Sequence, residues 1–251
     1  MTAGQPASST STRAYLSKRE TSGLEEPALK ITISKENYLK AIAEAQAEGE
    51  PVIAATLARW LNVTPPAVTM ALRRLKRDAC IQVDKHGCVT LLDEGRRIAD
   101  GLLQRHHLIE RMLTELFGME WYKVHDEAEQ LEHAVSAEFE RLLSERLGPD
   151  GPCPHGNPSG LDSPAERRKR GWKPMFELTA GVSGKVISVY ERDRNLLEYL
   201  NGLGIRPSAS FQVVARNYDD TLSLNVNRRQ VQLGRKAAER IWVSEDPRAA
   251  R

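Results

Sequence analysis

Thr64-Pro65-Pro66-Ala67-Val68-Thr69-Met70-Ala71-Leu72-Arg73-Arg74-Leu75-Lys76-Arg77-Asp78 is the stretch on which the fold turns. Val68, Leu72 and Leu75 recur at helical spacing, so one side of this helix faces inward. Thr64 suits the cap, and Pro65 suits the first helical position, where no N–H is needed. Asn62-Val63-Thr64 reads as a turn, preceded by a short helix over Val52–Leu61 with Ile53, Leu57 and Leu61 inward. Further upstream, Ser34–Ala47 places Tyr38, Leu39, Ile42 and Ala45 at helical spacing, with Ser34 as N-cap, and Gly49 and Pro51 end it. Downstream, Cys80–Val83 and Cys88–Leu92 are short extended stretches joined by Asp84-Lys85-His86-Gly87, a hairpin signal. Helix, helix, turn, helix, hairpin is the order of a winged helix-turn-helix.

In such a unit the second helix of the pair lies in the major groove, with its first residues toward the base edges. That assigns Pro65, Pro66, Ala67, Thr69 and Met70 to the groove and Arg73, Arg74 and Arg77 to phosphates, with the Thr64 and Thr69 hydroxyls also within reach of phosphate oxygens. The plainer alternative is a three-helix packing unit with a solvated arginine face; the hairpin argues for DNA. Because the side chains near the helix start are small or apolar, thymine methyls and DNA shape would supply much of the specificity.

Charge distribution supports a division of labour. Lys and Arg outnumber Asp and Glu by 11 to 9 over residues 30–100, but trail by 5 to 10 over residues 101–147. A mildly basic part therefore precedes an acidic one. Three cysteines, odd in number and without metal-finger spacing, favour a reducing compartment, and the expected location is cytoplasmic. No apolar run approaches the ~20 residues of a membrane span. Residues 1–30 read as a disordered tail, 31–98 as the DNA-binding domain, 99–148 as a helical domain, 149–174 as a linker and 175–245 as a small β domain. The helical domain is expected as two long helices, Asp93–Phe117 and Trp121–Leu147. Strands are expected at Gly184–Tyr190, Ser210–Arg216, Leu222–Val226 and Ile241–Val243, with a short helix at Asn195–Leu203. The fold class is mainly α with a C-terminal β part. Arg167-Arg168-Lys169-Arg170 reads as a solvated run in the linker.

His125-Asp126-Glu127-Ala128-Glu129-Gln130-Leu131-Glu132-His133 carries the chemistry. On one helix, His125, Glu129, Glu132 and His133 share a face, and His106 and Glu110 pair at i, i+4 on the helix before. A solvated acidic face is the plain alternative, but such faces rarely gather two histidines beside two glutamates, with a third His–Glu pair upstream. The pattern predicts bound metal. Glu129-x-x-Glu132-His133 misses the H-x-x-E-H zinc-peptidase signature by one residue, and no nucleophile elbow or phosphate loop is present, so an enzyme is not expected.

Glu36-Asn37-Tyr38-Leu39, Ala58–Asp78, Arg105-His106-His107-Leu108-Ile109-Glu110-Arg111, Val124–Glu129 with Glu132-His133, and Cys153-Pro154-His155-Gly156-Asn157-Pro158 together resemble the iron- and manganese-dependent repressors of the diphtheria toxin repressor and MntR type. The resemblance spans about Ile33 to Val243. It implies a homodimer on a palindromic DNA operator, a helical dimerisation and metal-binding domain, and an SH3-like, FeoA-type C-terminal domain, with no membrane and no small organic substrate. By position it implies one metal site at His106, Glu110 and His125, and another at Glu129, Glu132, His133 and Asn37. Glutamate at 129 matches manganese-type members, and a hard carboxylate there favours Mn²⁺, then Fe²⁺. Three positions depart from the pattern: Asn37, Lys40 where manganese-type members carry a carboxylate, and Leu196 at the amide ligand of the C-terminal domain, whose carboxylate ligand would be Asp193 or Glu191. His107 is expected exposed, and Cys153 and His155 structural. The alternative function is a winged-helix regulator answering another signal, whose acidic helix only dimerises.

Overall fold

Helix α1 (Ile33–Ala47) sits at the centre of the N-terminal helical part, and every residue from Leu39 to Ala45 is buried. A helix enclosed all round must satisfy its charges internally, and α1 carries Lys40 and Glu44 inside. It starts before Ser34 because Thr32 is the residue that accepts the Lys35 N–H. Helix α2 (Ala54–Trp60) and helix α3 (Pro65–Arg77) follow, then the hairpin of β1 (Ile81–Val83) and β2 (Val89–Leu91). Val68, Leu72 and Leu75 of α3 are buried as the spacing predicts. Thr64 precedes α3 without making a side-chain cap, so Pro65 sets its start. The chain is described here from a computed structural model that covers residues 32–148, 151–158 and 162–246; the tail expected over residues 1–30 lies outside them.

Helix α4 (Asp93–Glu115) runs unbroken, but the second long helix is two pieces, α5 (Val124–Leu131) and α6 (Ala137–Leu147). The break comes where Ser136 accepts the Phe139 N–H and caps a new helix. Periodicity alone runs straight through this point, because Leu143 keeps helical phase with Val124 and Ala128 in the core built with Ile109, Met112 and Leu113. The consequence is chemical: His133 lies past the end of α5 and leaves the helical face that His125 and Glu129 share.

The linker is partly ordered. Ser163 and Glu166 form a capping box at α7 (Pro164–Lys169), followed by β3 (Trp172–Pro174). Arg167 is buried over the Trp242 ring, 5.1 Å from its centroid, so the basic run is not wholly solvated. The remaining elements are β4 (Ser183–Val189), α8 (Arg194–Leu203), β5 (Ser210–Arg216), β6 (Leu222–Val226), β7 (Arg229–Leu233), α9 (Arg235–Ala238) and β8 (Ile241–Glu245). The antiparallel sheet has the order β3-β8-β4-β5-β6-β7. β7 is absent from the sequence reading because its hairpin turn, Asn227-Arg228, has no glycine although both residues take positive φ. Trp121, between α4 and α5, enters the core of this sheet and donates its indole N–H to Asn201, so helical and sheet parts share a core.

Candidate metal centre

Four parts of the chain converge on one buried cluster. Helix α4 supplies His106, His107 and Glu110, the start of α5 supplies His125, residues 151–158 supply Cys153 and His155, and the chain after β4 supplies Glu191. His106 Nε2 lies 3.0 Å from both Glu110 Oε1 and His125 Nδ1. His155 Nδ1 lies 3.3 Å from Glu110 Oε1 and 3.5 Å from Glu191 Oε2. Cys153 Sγ is 3.6 Å from Glu191 Oε2, and His107 Nε2 is 3.9 Å from Glu191 Oε1. Asn157 donates to Glu191 at 2.7 Å.

The segment 151–158 reaches the cluster through a tight turn. Cys153 N–H bonds the Asn157 carbonyl, Gly156 N–H bonds the Cys153 carbonyl, and Val189 N–H bonds the His155 carbonyl. Gly156 has φ +83°, and a Cβ there would lie 1.9 Å from the Ile187 carbonyl oxygen, so only glycine allows the approach. The register shift between β4 and β8 falls at this same residue, Ile187.

Taking four imidazoles, two carboxylates and a thiol out of water is costly unless they are paired. Several are not: Glu110 Oε2, His155 Nε2 and both ring nitrogens of His107 lack a hydrogen-bond partner. Among the described residues, two groups bring one ligand atom each within 4.8 Å of all the others: His106, His125 and Glu191; and His107, Glu110, Cys153 and Glu191. The donor chemistry and the orphaned atoms fit a divalent cation.

The electrostatics describe what a cation would have to displace. Burial penalises the charged form of His125, but hydrogen bonds to Glu110 and Glu129 outweigh it and hold its pKa up to about 10. Glu129 is held down to about 2 by that bond with His125, against the effect of burial. Burial would raise Glu110, yet His155 and His106 keep it well below the usual carboxylate range. Burial pushes the Cys153 thiol up. At neutral pH, then, His125 carries a proton that must leave before it can coordinate. Metal affinity is expected to rise with pH across the neutral range and to level off for His125 above about 10, with protons released on binding. Calorimetric titration of Mn²⁺ in buffers of different ionisation enthalpy reads that release; affinity indifferent to pH contradicts it.

The residues expected at a second site are arranged otherwise. His133 Nε2 lies 2.6 Å from Asn37 Oδ1, and His133 Nδ1 lies 3.0 Å from Glu36. Glu132 Oε2 accepts from Lys40 Nζ at 2.7 Å and sits 2.6 Å from His106 Nδ1. Lys40 Nζ is also 3.0 Å from His106 Nδ1. Glu129 is 43% exposed at its side chain and reaches toward His125 and Arg192. Arg192, from the C-terminal domain, bonds Glu44 at 2.6 Å and the Trp60 carbonyl at 3.3 Å. Asn37, Lys40, Glu129, Glu132, His133 and Arg192 line a cleft of about 220 Å³. With the Lys40 ammonium already between Glu132 and His106, and Arg192 beside Glu129, this cleft holds its own cations and does not fit a divalent ion as it stands.

His106, Glu110 and His125 come together as the resemblance implies, whereas His107, expected at the surface, is buried at 3% exposure. Cys153 and His155, expected as structural, and Glu191, one of two candidates in the C-terminal domain, join the same cluster. The doubled His106-His107 and the Cys153-Pro154-His155-Gly156-Asn157 turn were the available signals. At the other end of the molecule, Thr64, Pro66, Ala67, Thr69, Met70, Arg73, Arg74 and Arg77 are all exposed. The Thr69 hydroxyl bonds back to the Pro65 carbonyl at 3.1 Å.

Residues 30–89 match the family described as "Iron dependent repressor, N-terminal DNA binding domain", and residues 92–159 its "metal binding and dimerisation domain". Residues 173–245 match the FeoA domain. A diphtheria toxin repressor from Corynebacterium jeikeium is 31% identical over 202 residues, 72% of this chain and 84% of that protein. The chain belongs to the iron-dependent repressor family. The repressor is likewise 34% identical over 191 residues to the iron-dependent repressor IdeR of Mycobacterium tuberculosis, covering 71% of this chain and 82% of that one. A solved manganese-dependent transcriptional repressor in complex with manganese superposes with a TM-score of 0.75 at 31% identity, covering 84% of this chain and all of the other. The repressor is therefore a metal-dependent, non-enzymatic transcriptional regulator that dimerises and binds operator DNA. Among the described residues no helix is long and apolar enough to cross a membrane.

Proposed function

We propose that this repressor is a cytoplasmic, Mn²⁺-activated regulator of metal-uptake genes, with Fe²⁺ as the second candidate, and that His106, Glu110, His125 and Glu191 hold the activating ion. The observation that carries the reading is the buried imidazole–carboxylate cluster, in which Glu110 keeps one oxygen unpartnered. Nitrogen and carboxylate donors suit Mn²⁺ and Fe²⁺; affinity order alone would favour Zn²⁺ or Cu²⁺, so availability and geometry must select. A bound ion would supply positive charge that the protonated His125 supplies without it.

The route to DNA runs through His106. One ring nitrogen faces Glu110 and His125, and the other faces Lys40 and Glu132. Fixing the imidazole in one tautomer and orientation fixes which partner it offers to Lys40, and hence the position of α1, on which the DNA-binding part is built. Exposed Leu116, Phe117, Phe139 and Leu142 on and after α4 and on α6 are the surface proposed for the dimer contact. Two α3 helices one helical turn or so apart would then read a palindromic operator. Pro65, Pro66, Ala67, Thr69 and Met70 are assigned to the base edges, and Arg73, Arg74, Arg77 and the Thr64 hydroxyl to the phosphates.

Single Arg73→Ala, Arg74→Ala and Arg77→Ala variants are each expected to reduce the salt dependence of operator binding by about one unit of log–log slope, uniformly across sequences. Met70→Ala is expected to change sequence preference and leave that slope alone. Unchanged slopes in all three arginine variants, measured with Mn²⁺ present, overturn the assignment of α3. The alternative of a regulator with a metal-free acidic helix draws on one observation, that Lys40 and Arg192 already neutralise the first-helix cleft. Loss of Mn²⁺ binding in a His106→Ala/His125→Ala variant that stays folded favours the metal reading of this cluster; a wild-type chain that binds no Mn²⁺ favours the alternative.

A further inference from the structure

We infer that Arg192, from the C-terminal domain, is a positioning residue for operator recognition: it grips the end of α2 and so sets where α3 stands. The link uses no metal and goes beyond the reading above, needing from it only that α3 reads DNA. Arg192 lies between β4 and α8, and its guanidinium spans two helices of the N-terminal part. Nη1 donates to Glu44 Oε2 of α1 at 2.6 Å, and Nη2 donates to the Trp60 carbonyl at 3.3 Å. The same group lies over the Trp60 ring, 4.8 Å from its centroid. Glu44 is buried on α1, so the grip has a fixed anchor.

A short helix leaves most of its last carbonyls to partners outside it. In α2 the Leu57, Ala58 and Arg59 carbonyls accept from the N–H groups of Leu61, Val63 and Asn62, and the Trp60 carbonyl accepts from Arg192. Only the turn over residues 61–64 separates Trp60 from α3. That connection is stiff, because Asn62 takes φ +50° and Pro65 and Pro66 fix the backbone that enters α3. A shift of the α2 end is therefore passed on to α3. A second arginine of the C-terminal domain supports the same helix end. The Trp60 indole N–H donates to Glu50 Oε2 at 3.3 Å, and Arg240 donates to Glu50 Oε1 at 3.4 Å. Arginine suits the task because its planar fork bonds two acceptors while stacking on a ring, which an ammonium cannot do.

Anisotropy titrations of the full chain on operator and on nonspecific duplex, at saturating Mn²⁺ and over a range of salt, test this. Arg192→Ala is expected to lose about tenfold in operator affinity, as a stacked cation and a carbonyl bond go together. Nonspecific affinity and the salt slope are expected to stay at wild type, since no phosphate contact is removed. A merely destabilised chain would lose both affinities alike. Hydrogen exchange of the folded variant should quicken at the amides of residues 61–64 and stay unchanged in α4. Trp60→Leu keeps the carbonyl and loses the ring, so it should show a smaller loss of the same kind. Joined to Arg192→Ala it should add nothing, because both act through one contact. Wild-type operator affinity in Arg192→Ala, equal loss from operator and nonspecific binding, or additive losses in the double variant each overturn the inference. If Arg192→Ala fails to fold, Arg192→Lys decides. It keeps the charge beside Glu44 and is expected to show the same selective loss; wild-type discrimination between the two duplexes overturns the inference.

Discussion

Glu110→Gln is expected to weaken Mn²⁺-dependent operator binding by at least about 100-fold while leaving metal-independent, nonspecific DNA affinity unchanged. Glu110 is fully buried and its one bonded oxygen serves His106, His125 and His155 at 3.0, 3.3 and 3.3 Å. An amide of the same size keeps the shape but removes the negative charge that balances these imidazoles. It also removes a carboxylate from the proposed ion position. Removing one member of a buried charge cluster costs about 3–5 kcal/mol, and each 1.4 kcal/mol is tenfold in an equilibrium constant. Anisotropy titrations at fixed salt with saturating Mn²⁺ give the affinity, and circular dichroism checks the fold. A folded Glu110→Gln protein with wild-type metal response removes this cluster from the switch.

The second large effect belongs to stability. Lys40→Met is expected to lower the melting temperature by roughly 10 °C in the metal-free protein. Lys40 is 3% exposed, and its ammonium lies 2.7 Å from Glu132 Oε2. Burial disfavours the ammonium, but Glu44, Glu132 and Glu129 around it raise its pKa, so the charge persists at neutral pH. Truncating it strands the Glu132 carboxylate, a loss of about 3–5 kcal/mol, and about 2–4 °C accompany each kcal/mol in a domain of this size. Lys40→Met/Glu132→Leu should recover most of the loss, since a buried pair replaced by apolar groups is often neutral. The sign with pH is fixed by the direction of the shift. A raised folded pKa stabilises fully below the unfolded value of about 10.4 and fades as pH climbs through the folded one, so the pair should hold its full strength at neutral pH. A melting temperature unchanged in Lys40→Met contradicts the role given to this ammonium.

These two residues also show how far the sequence could be read. Glu110 and His106 were legible because i, i+4 spacing on an unbroken helix places them together without knowledge of anything else. Lys40 was legible as an oddity, since a lysine stood where a carboxylate was expected, but its destination was not. A period-3.6 pattern places Lys40 on a helix and says nothing of the Glu132 carboxylate 92 positions away. The same limit applies to His107. Its neighbour His106 faces inward, and on a helix flanked by one partner the next residue would face solvent. Here α4 is covered on a second side by residues 151–158 and the end of β4, so both histidines are enclosed. Cys153, His155 and Glu191 belong to that cover, and no local pattern joins them to α4. Glu132 and His133 lie at and beyond the end of α5, a break that periodicity does not show because Ser136 caps the next helix. The winged unit was the easiest to read because its signals are local: a proline start, three inward apolar residues and a short hairpin.

The measurement that bears most directly on the account is operator binding as a function of metal. A labelled duplex from the region upstream of the repressor's own coding sequence would be titrated at fixed salt with Mn²⁺, Fe²⁺ and Zn²⁺, and each reaction then reversed with EDTA. The account predicts that Mn²⁺ or Fe²⁺ turns specific binding on and that the chelator turns it off. Tight binding indifferent to every metal and to EDTA would contradict it, leaving the buried cluster as a structural joint and the Lys40 and Arg192 pairs as the permanent link between α1, α5 and the C-terminal domain.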